Sequence, residues 1–324
     1  MLFKNAFHLL VDNFSLNYKY LLYKVIISIL SVGLAAALIV PNVAFLFNSA
    51  ELGALIDLIK EFLRALVSGN VDFLNSFPTE FRECVAALWE LLVSRTGRLV
   101  FVLIAAIAVI LIYRFLSGMG NFVFGNLIDD KMSSGAKTSF SSAYIRNLGR
   151  AALWQVIYVP ITFIYDIAVL AICYLFFLIL LNIISLALMA TSAALMLSVA
   201  LFLAAQAVKL TVFNAIVPAM VSEGRKLSDA VKTGLSQSKE HFGPLFSTYL
   251  VTSLLILCVG VGGAICSFGA ALLLVVPMSF MMMISVQFVS YYTFSRKKYF
   301  LGEDKIVSPK ENKAGEDFYD KFDL

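Results

Sequence analysis

From Ala151 to Val208 the chain runs for 58 residues with a single charged side chain, Asp166, and residues 244–295 carry none. A helix needs about 20 apolar residues to cross ~30 Å of hydrocarbon. The first stretch therefore holds two spans with a turn near Asn182–Ser185, and the second holds two more around a glycine-rich break at 260–269. Residues 21–41 and 98–117 each supply one further span. The pattern predicts an all-α polytopic membrane bundle of six transmembrane helices with interfacial amphipathic helices. Continuous apolar runs exclude a barrel, whose strands would alternate over ~10 residues. Composition agrees: 14% of residues are charged and mean hydropathy is +0.89, against about 25% charged in soluble domains.

Residues 1–296 form the integral membrane domain in this reading, and the mixed-charge stretch 297–324 is a disordered cytoplasmic tail. Its aromatic end, FYDKFDL, is either a docking peptide or simply solvated. Twenty of the 25 lysines and arginines fall in segments that share one side if the N-terminus is inside. Basic residues gather on the cytoplasmic side, so both termini are expected in the cytoplasm of a plasma membrane. The net charge of +4 then reflects attraction to anionic inner-leaflet lipid, about 1 kcal/mol per basic residue. It does not mark a nucleic-acid surface. The first span is not read as a signal peptide, because its apolar run continues past Ala35–Ala37. Cys84 falls outside the membrane and Cys173, Cys258 and Cys266 fall within spans, with neither a disulfide framework nor metal-ligand spacing.

Amphipathic stretches flank the spans. Phe3, Phe7, Leu10 and Phe14 recur at helical spacing and suggest an interfacial helix over residues 2–18. In the outer loop, 42–97, Leu52, Leu55, Ile56, Ile59, Leu63, Leu66 and Val67 form a stripe that Ser49 can cap. Asn70–Pro78 is expected to break it, and a second helix opens at Thr79 with Phe81, Val85, Leu88 and Leu92 on one face. Both helices rest on the membrane or bundle, or cover a cavity.

Two segments repeat a phrase. SSGAKTSFSSAYIRNLGR at 133–150 and SEGRKLSDAVKTGLSQSK at 222–239 both carry Gly-x-Lys-x-Ser, as Gly135, Lys137, Ser139 and Gly224, Lys226, Ser228, 89 residues apart. Each follows one span and precedes another. In each the glycine would supply a bend, the lysine would meet anionic lipid, and the serine would cap a short amphipathic helix. The apolar faces are Phe140, Tyr144, Leu148 and Val231, Leu235, Phe242. Matched context suggests a parallel internal repeat.

The segment PAMVSEGRKLSDAVKTGLSQS, through Pro218, Glu223, Gly224, Ala230 and Ser236, resembles a broad group of bacterial six-helix membrane proteins. That group includes uncharacterised integral membrane proteins and the membrane domain fused to some glycerophosphodiester phosphodiesterases. GAKTSFSSAY is similar to the group's first cytoplasmic segment, and the likeness covers roughly residues 98–295. It implies a fold and a location. The phosphodiesterase itself is a separate barrel of roughly 250 residues, for which this chain has no room.

Asp166 is the sharpest single residue, since an ionisable group inside a span finds a partner or lines a polar cavity. At 1.5 Å per residue, Arg114, Lys24 and Asp166 lie about 24, 26 and 28 Å from the outer ends of their helices. The three form a candidate intramembrane polar cluster in which Asp166 pairs with Arg114 or Lys24, as a static tie or as a substrate or proton site. Asp129, Asp130 and Glu223 read as solvated loop acids. The only histidines are His8 and His241, and no GxSxG, HExxH or GxxxxGK[ST] occurs. No cofactor, metal or catalytic residue is expected. The favoured function is a non-enzymatic scaffold or accessory partner of another membrane system, docking through Glu223, Gly224 and residues 228–242. The alternative is a transporter or permease-like subunit with a polar site near Asp166.

Overall fold

The structure, a computed structural model, describes residues 2–183, 187–302 and 305–308. The turn expected at Asn182–Ser185 lies largely outside them, as does the chain beyond Ser308. Contacts divide the chain into two compact units, one of Met1–Val25 with Phe115–Leu324 and one of Ile26–Arg114.

In chain order the helices are α1 (Leu2–Asp12), α2 (Ser15–Phe47), α3 (Ala50–Ser68), α4 (Val71–Ser94), α5 (Thr96–Ser134), α6 (Phe140–Ile183), α7 (Ala187–Val212), α8 (Ile216–Ser222), α9 (Leu227–Glu240), α10 (Phe242–Cys266) and α11 (Leu272–Phe294). A hairpin follows, β1 (Tyr299–Gly302) with β2 (Lys305–Val307). Among the described residues, six helices are long and apolar enough to cross a membrane: α2, α5, α6, α7 with α8, α10 and α11. The chain is thus an all-α, multi-pass membrane protein. In α11, 44% of the apolar window is buried, against 6–17% in the other five. That difference makes α11 the most enclosed span of the first unit and leaves the others apolar surface for lipid.

Tyr20, Phe122, Phe124, Tyr249, Phe288 and Tyr291 are fully or almost fully buried and fill the core of the first unit. α1 packs on α11 and β1 and belongs to that core. It buries Asn5, Ala6, Leu9 and Leu10, whereas Phe7 of the expected lipid-facing stripe is 48% exposed. The buried face shares Leu10 with the expected stripe, and Phe3 packs against the core beside it, but the face turns towards Asn5, Ala6 and Leu9 and leaves Phe7 outside. The expected disordered tail is corrected at its start. β1 and β2 occupy residues 299–302 and 305–307, with Tyr299 and Leu301 buried and the Asn5 amide donating to Tyr299 Oη at 2.9 Å.

In the second unit Ser49 caps α3, accepting from Leu52 N at 3.2 Å. The expected break at Asn70–Pro78 is corrected: Gly69 ends α3 at φ 68°, Asn70 caps α4, and α4 runs through Pro78. Phe77 stacks on Phe62 with centroids 4.2 Å apart and lies 5.5 Å from Phe81, packing that offsets the backbone bond a proline removes. α3 buries Leu58 and Ala65, while Ile56, Ile59, Leu63, Leu66 and Val67 stay exposed within the unit.

The repeated phrase encodes a shared helix stop. Gly135 and Gly224 have φ of 68° and 67°, a conformation glycine reaches without the strain of a Cβ. Ala136 N donates to Asp130 O, and Arg225 N to Ala219 O. Both bonds reach back six positions, one further than the bond of a Schellman motif. At the first elbow Gly135 N also donates to Lys131 O, the single bond of the αL motif. After the stop, the register slips by two. Ser139 caps α6, accepting from Ser142 N at 3.3 Å, but the cap of α9 is Lys226, without a side-chain bond. Ser228 is therefore not the expected cap. The helices correspond 87 residues apart, not 89. Buried Ala143, Asn147 and Ala151 match Ala230, Gly234 and Ser238. Phe140 and Tyr144 match Leu227 and Val231, all packed on the core. Leu148 and Leu235 are 46% and 45% exposed. The expected short helix after the first phrase is also corrected, because α6 continues into a span. α9 stops at His241, and Pro244 stands in the first turn of α10, where its missing N–H costs nothing.

Candidate functional site

Glu223 lies between α8 and Gly224 and gathers the charges of the second elbow. Its Oε1 accepts from Lys297 Nζ at 2.6 Å and from Tyr291 Oη at 2.5 Å, and its Oε2 pairs with Arg225 Nε. Burial works against the charge, but the bonds from Lys297, Tyr291 and Arg225 outweigh it and hold the carboxyl at about 2, below the ordinary 4.5. Lys297 also donates to Ser222 Oγ at 3.1 Å and lies over the rings of Tyr291 and Tyr292 at 5.2 and 5.7 Å. One carboxylate thus ties the elbow to the end of α11 and the approach to the hairpin. The reading of Glu223 as a solvated loop acid is corrected, since its side chain is 21% exposed.

Asp129 is corrected in the same way. α5 runs on to Ser134, so Asp129 is helical, 7% exposed, and accepts from Tyr292 Oη at 2.8 Å. Asp130 lies 3.7 Å from Arg146, whose guanidinium also donates to Asn126 Oδ1 at 2.7 Å. Gly135, Lys137 and Ser139 are exposed, as are Gly224, Lys226 and Ser228.

α9 presents its polar face to an open groove of about 1110 Å³. Lys232, Ser236, Gln237 and His241 line one side, and Asn5, Arg296 and Tyr299 are among the residues opposite. Ser238 on the buried face donates to Thr211 O at 2.7 Å and so fixes α9 to the end of α7.

Asp166 sits in α6 with a partner that the spacing of spans had not named. Lys209 Nζ lies 2.6 Å from Asp166 Oδ1, and Gln206 Nε2 donates to the same oxygen at 3.2 Å. The Lys209 and Asp166 side chains are 11% and 17% exposed. Tyr165 Oη donates to Ala205 O at 2.7 Å beside them. The available signal was Gln206 and Lys209 themselves, three residues apart and so on one face of an otherwise apolar helix. Lys24 Nζ meets Ser117 Oγ and lies over Phe280 at 4.7 Å. Arg114 is the last residue of the other unit and is half-buried.

Gln206 and Lys209 line a cavity of about 320 Å³ between α5, α6, α7, α10 and α11. Its aromatic wall includes Trp154, Tyr158 and Phe213, with ring centroids 5.0 to 6.1 Å apart. Its polar groups include Asn121, Gln155 and Gln287. Such a wall can hold and orient a small molecule; no serine, cysteine or histidine is on it. Among the described residues no group of three His, Cys, Asp or Glu side chains could hold a metal ion.

The helices and their interior polar groups define a multi-pass membrane protein with a partly buried ion pair beside a small cavity. No family model, curated protein or solved structure matches the chain.

Proposed function

We propose that this protein is a non-enzymatic accessory component of a larger membrane system in a bacterial plasma membrane, docking its partner on the face of α9. The reading places both termini in the cytoplasm, beside anionic lipid. It keeps the resemblance of residues 98–295 to bacterial six-helix membrane proteins as part of the proposal. The observation that carries it is the open groove along α9. A groove of this size beside a helix pinned by Ser238, after an elbow that Glu223 ties to α11, offers a fixed, polar, concave surface. Such preorganisation lowers the ordering cost of association.

A photoreactive residue at position 236 tests the docking face, with position 145 on the first elbow as control. Docking predicts a discrete protein adduct in cells at 236 alone, weakened by Lys232→Glu. Equal labelling at both positions, or adducts with lipid only, would remove this reading.

A second reading, a permease-like subunit with a polar site near Asp166, is favoured by one observation. The two groups that hold Asp166, Lys209 and Gln206, also line the interior cavity. Flux of a small solute through proteoliposomes, abolished by Asp166→Asn, would be its signature.

A further inference from the structure

The chain enters residues 309–324 from the lining of the α9 groove. Val307 and Ser308 both line that groove, and residues 309–324 continue from them, outside the described residues. A covalent tether therefore holds that segment beside the groove. Phe318 follows Ser308 by ten residues, and ten extended residues cover up to about 33 Å. α9, with 14 residues, is about 21 Å long, so the segment reaches the whole α9 side of the groove.

The lining asks for an acidic occupant. Lys232 and Arg296 are exposed on it, and neither enters an ion pair among the described residues. Glu240 is the one acid among the described lining residues, and it lies 3.9 Å from His241 Nε2. The lining also offers aromatic surface. The partly buried rings of His241 and Phe294 stack with centroids 4.2 Å apart.

The tethered segment carries the complementary chemistry. Residues 316–324 read EDFYDKFDL, in which Glu316, Asp317, Asp320 and Asp323 stand against one cation, Lys321. Phe318, Tyr319 and Phe322 are interleaved with these acids. Residues 309–315 hold Lys310 and Lys313 against Glu311, so the acidic charge is confined to the distal part. Opposite charge fixes which surface a segment chooses, and aromatic rings add contact area and ring packing. Exposed ion pairs are individually weak, but a short tether holds its segment at about millimolar local concentration, which a free partner has to outcompete.

We propose that the α9 groove binds the chain's own segment 316–324, its acids paired with Lys232 and Arg296 and its rings packed beside His241 and Phe294. The segment thereby competes with any other protein for this face and limits docking on it. The competition rests on the docking reading; occupancy by the segment does not require a second protein.

The test uses the full-length protein purified in mild detergent, with a photoreactive residue at position 236 or, as control, at 145. After irradiation and proteolysis, mass spectrometry identifies the peptide joined to each position. The expected result is a link within one chain from 236 to a peptide inside 316–324, with none from 145. Asp317→Lys with Asp320→Lys should lower its yield at least fivefold. Adding Lys232→Glu and Arg296→Glu should restore at least half, because the ion pairs re-form with opposite sign. The proposal is overturned by no link from 236 to that segment, by equal links from 145, or by a yield indifferent to the charge reversal. Failure of the groove reversal to restore the link would overturn the pairing with Lys232 and Arg296. A mixture of isotopically heavy and light protein separates links within a chain from links between copies, and links only between copies would also overturn it. In cells, the reversed segment should raise the intermolecular adduct at 236 at least twofold. The segment link without any such adduct would remove the docking reading and leave this site in place. An adduct unchanged by the reversal, with no segment link, would remove this site and leave docking.

Discussion

The two elbows begin alike and end differently. Each stops a helix with a left-handed glycine, and the residue after that glycine donates its N–H to the carbonyl six positions back. Each then starts a helix that buries a line of small or short polar residues against the span before it. In the first, Asn147 reaches back to Asn126 on α5 at 3.1 Å; in the second, Ser238 reaches back to the end of α7. Yet the second elbow is two residues shorter, uses Lys226 where the first uses Ser139, and yields a detached helix instead of a continuous span. The repeated letters mark the stop. The buried stripe marks the real correspondence, displaced by two positions from the letters. A helix stop depends on local backbone chemistry, whereas a buried face depends on the neighbour it meets.

The largest expected effect tests that displacement. A Cβ at Gly234 would lie 2.5 Å from Ile216 Cγ1 and 3.2 Å from Ile216 N, so Gly234→Ala should cost about 1–3 kcal/mol by overpacking. The residue 89 positions earlier, Ile145, is 77% exposed, and Ile145→Ala should change stability by no more than about 0.5 kcal/mol. Similar losses at both positions, in denaturant titrations of the detergent-solubilised protein, would restore the letter-by-letter alignment.

Gly135→Ala and Gly224→Ala should each cost about 1–2 kcal/mol, the ordinary penalty of a Cβ in the left-handed region. A Cβ would meet nothing within 4 Å at either position. Near-equal values would identify the stop as local, and a wide gap would show that surroundings decide it.

Glu223→Gln should cost about 1–2 kcal/mol near neutral pH, once solvent screening of a partly exposed ion pair is allowed for. Its sign with pH follows from the lowered pKa of the folded state. The stabilisation is fully present above the ordinary 4.5 and is lost as pH falls towards about 2. Wild type should therefore lose its advantage over Glu223→Gln between pH 5 and pH 2 on scales set by these two values. A difference that stays constant across that window would assign the effect to something other than the ionised carboxylate.

The smallest effect concerns the caps. Ser139→Ala should cost about 0.5–1 kcal/mol as the loss of an N-cap, whereas Ser228→Ala, inside the first turn of α9, should be close to neutral. Equal costs would mean that both serines cap in solution, against the two-residue slip.

Much of this fold is legible from run lengths alone. Spans of uncharged residues locate the six long helices, because hydrocarbon thickness sets a length that no loop can satisfy. Ser49, Gly135 and Gly224 were also readable, since caps and left-handed stops depend on the residue at the position and its immediate neighbours. Pro78 misled because a proline reads as a break, while a capped start at Asn70 and the Phe62–Phe77 stack carry α4 past it. The strand pair β1 and β2 was hidden in a polar composition, its burial resting on two residues, Tyr299 and Leu301.

What the sequence determined by itself is the number of spans, the places where helices stop, and the presence of an expensive charge at Asp166. Only the tertiary structure decided that Lys209 and Gln206 answer that charge, that Glu223 binds the elbow to α11, and that Gln155 lies over Gly118 at the edge of a cavity. Helix stops and membrane spans are set by short-range sterics and by solvent. Pairings between spans are set by helix rotation and close packing, and residues on different helices carry no mark in the chain of which neighbour they will meet.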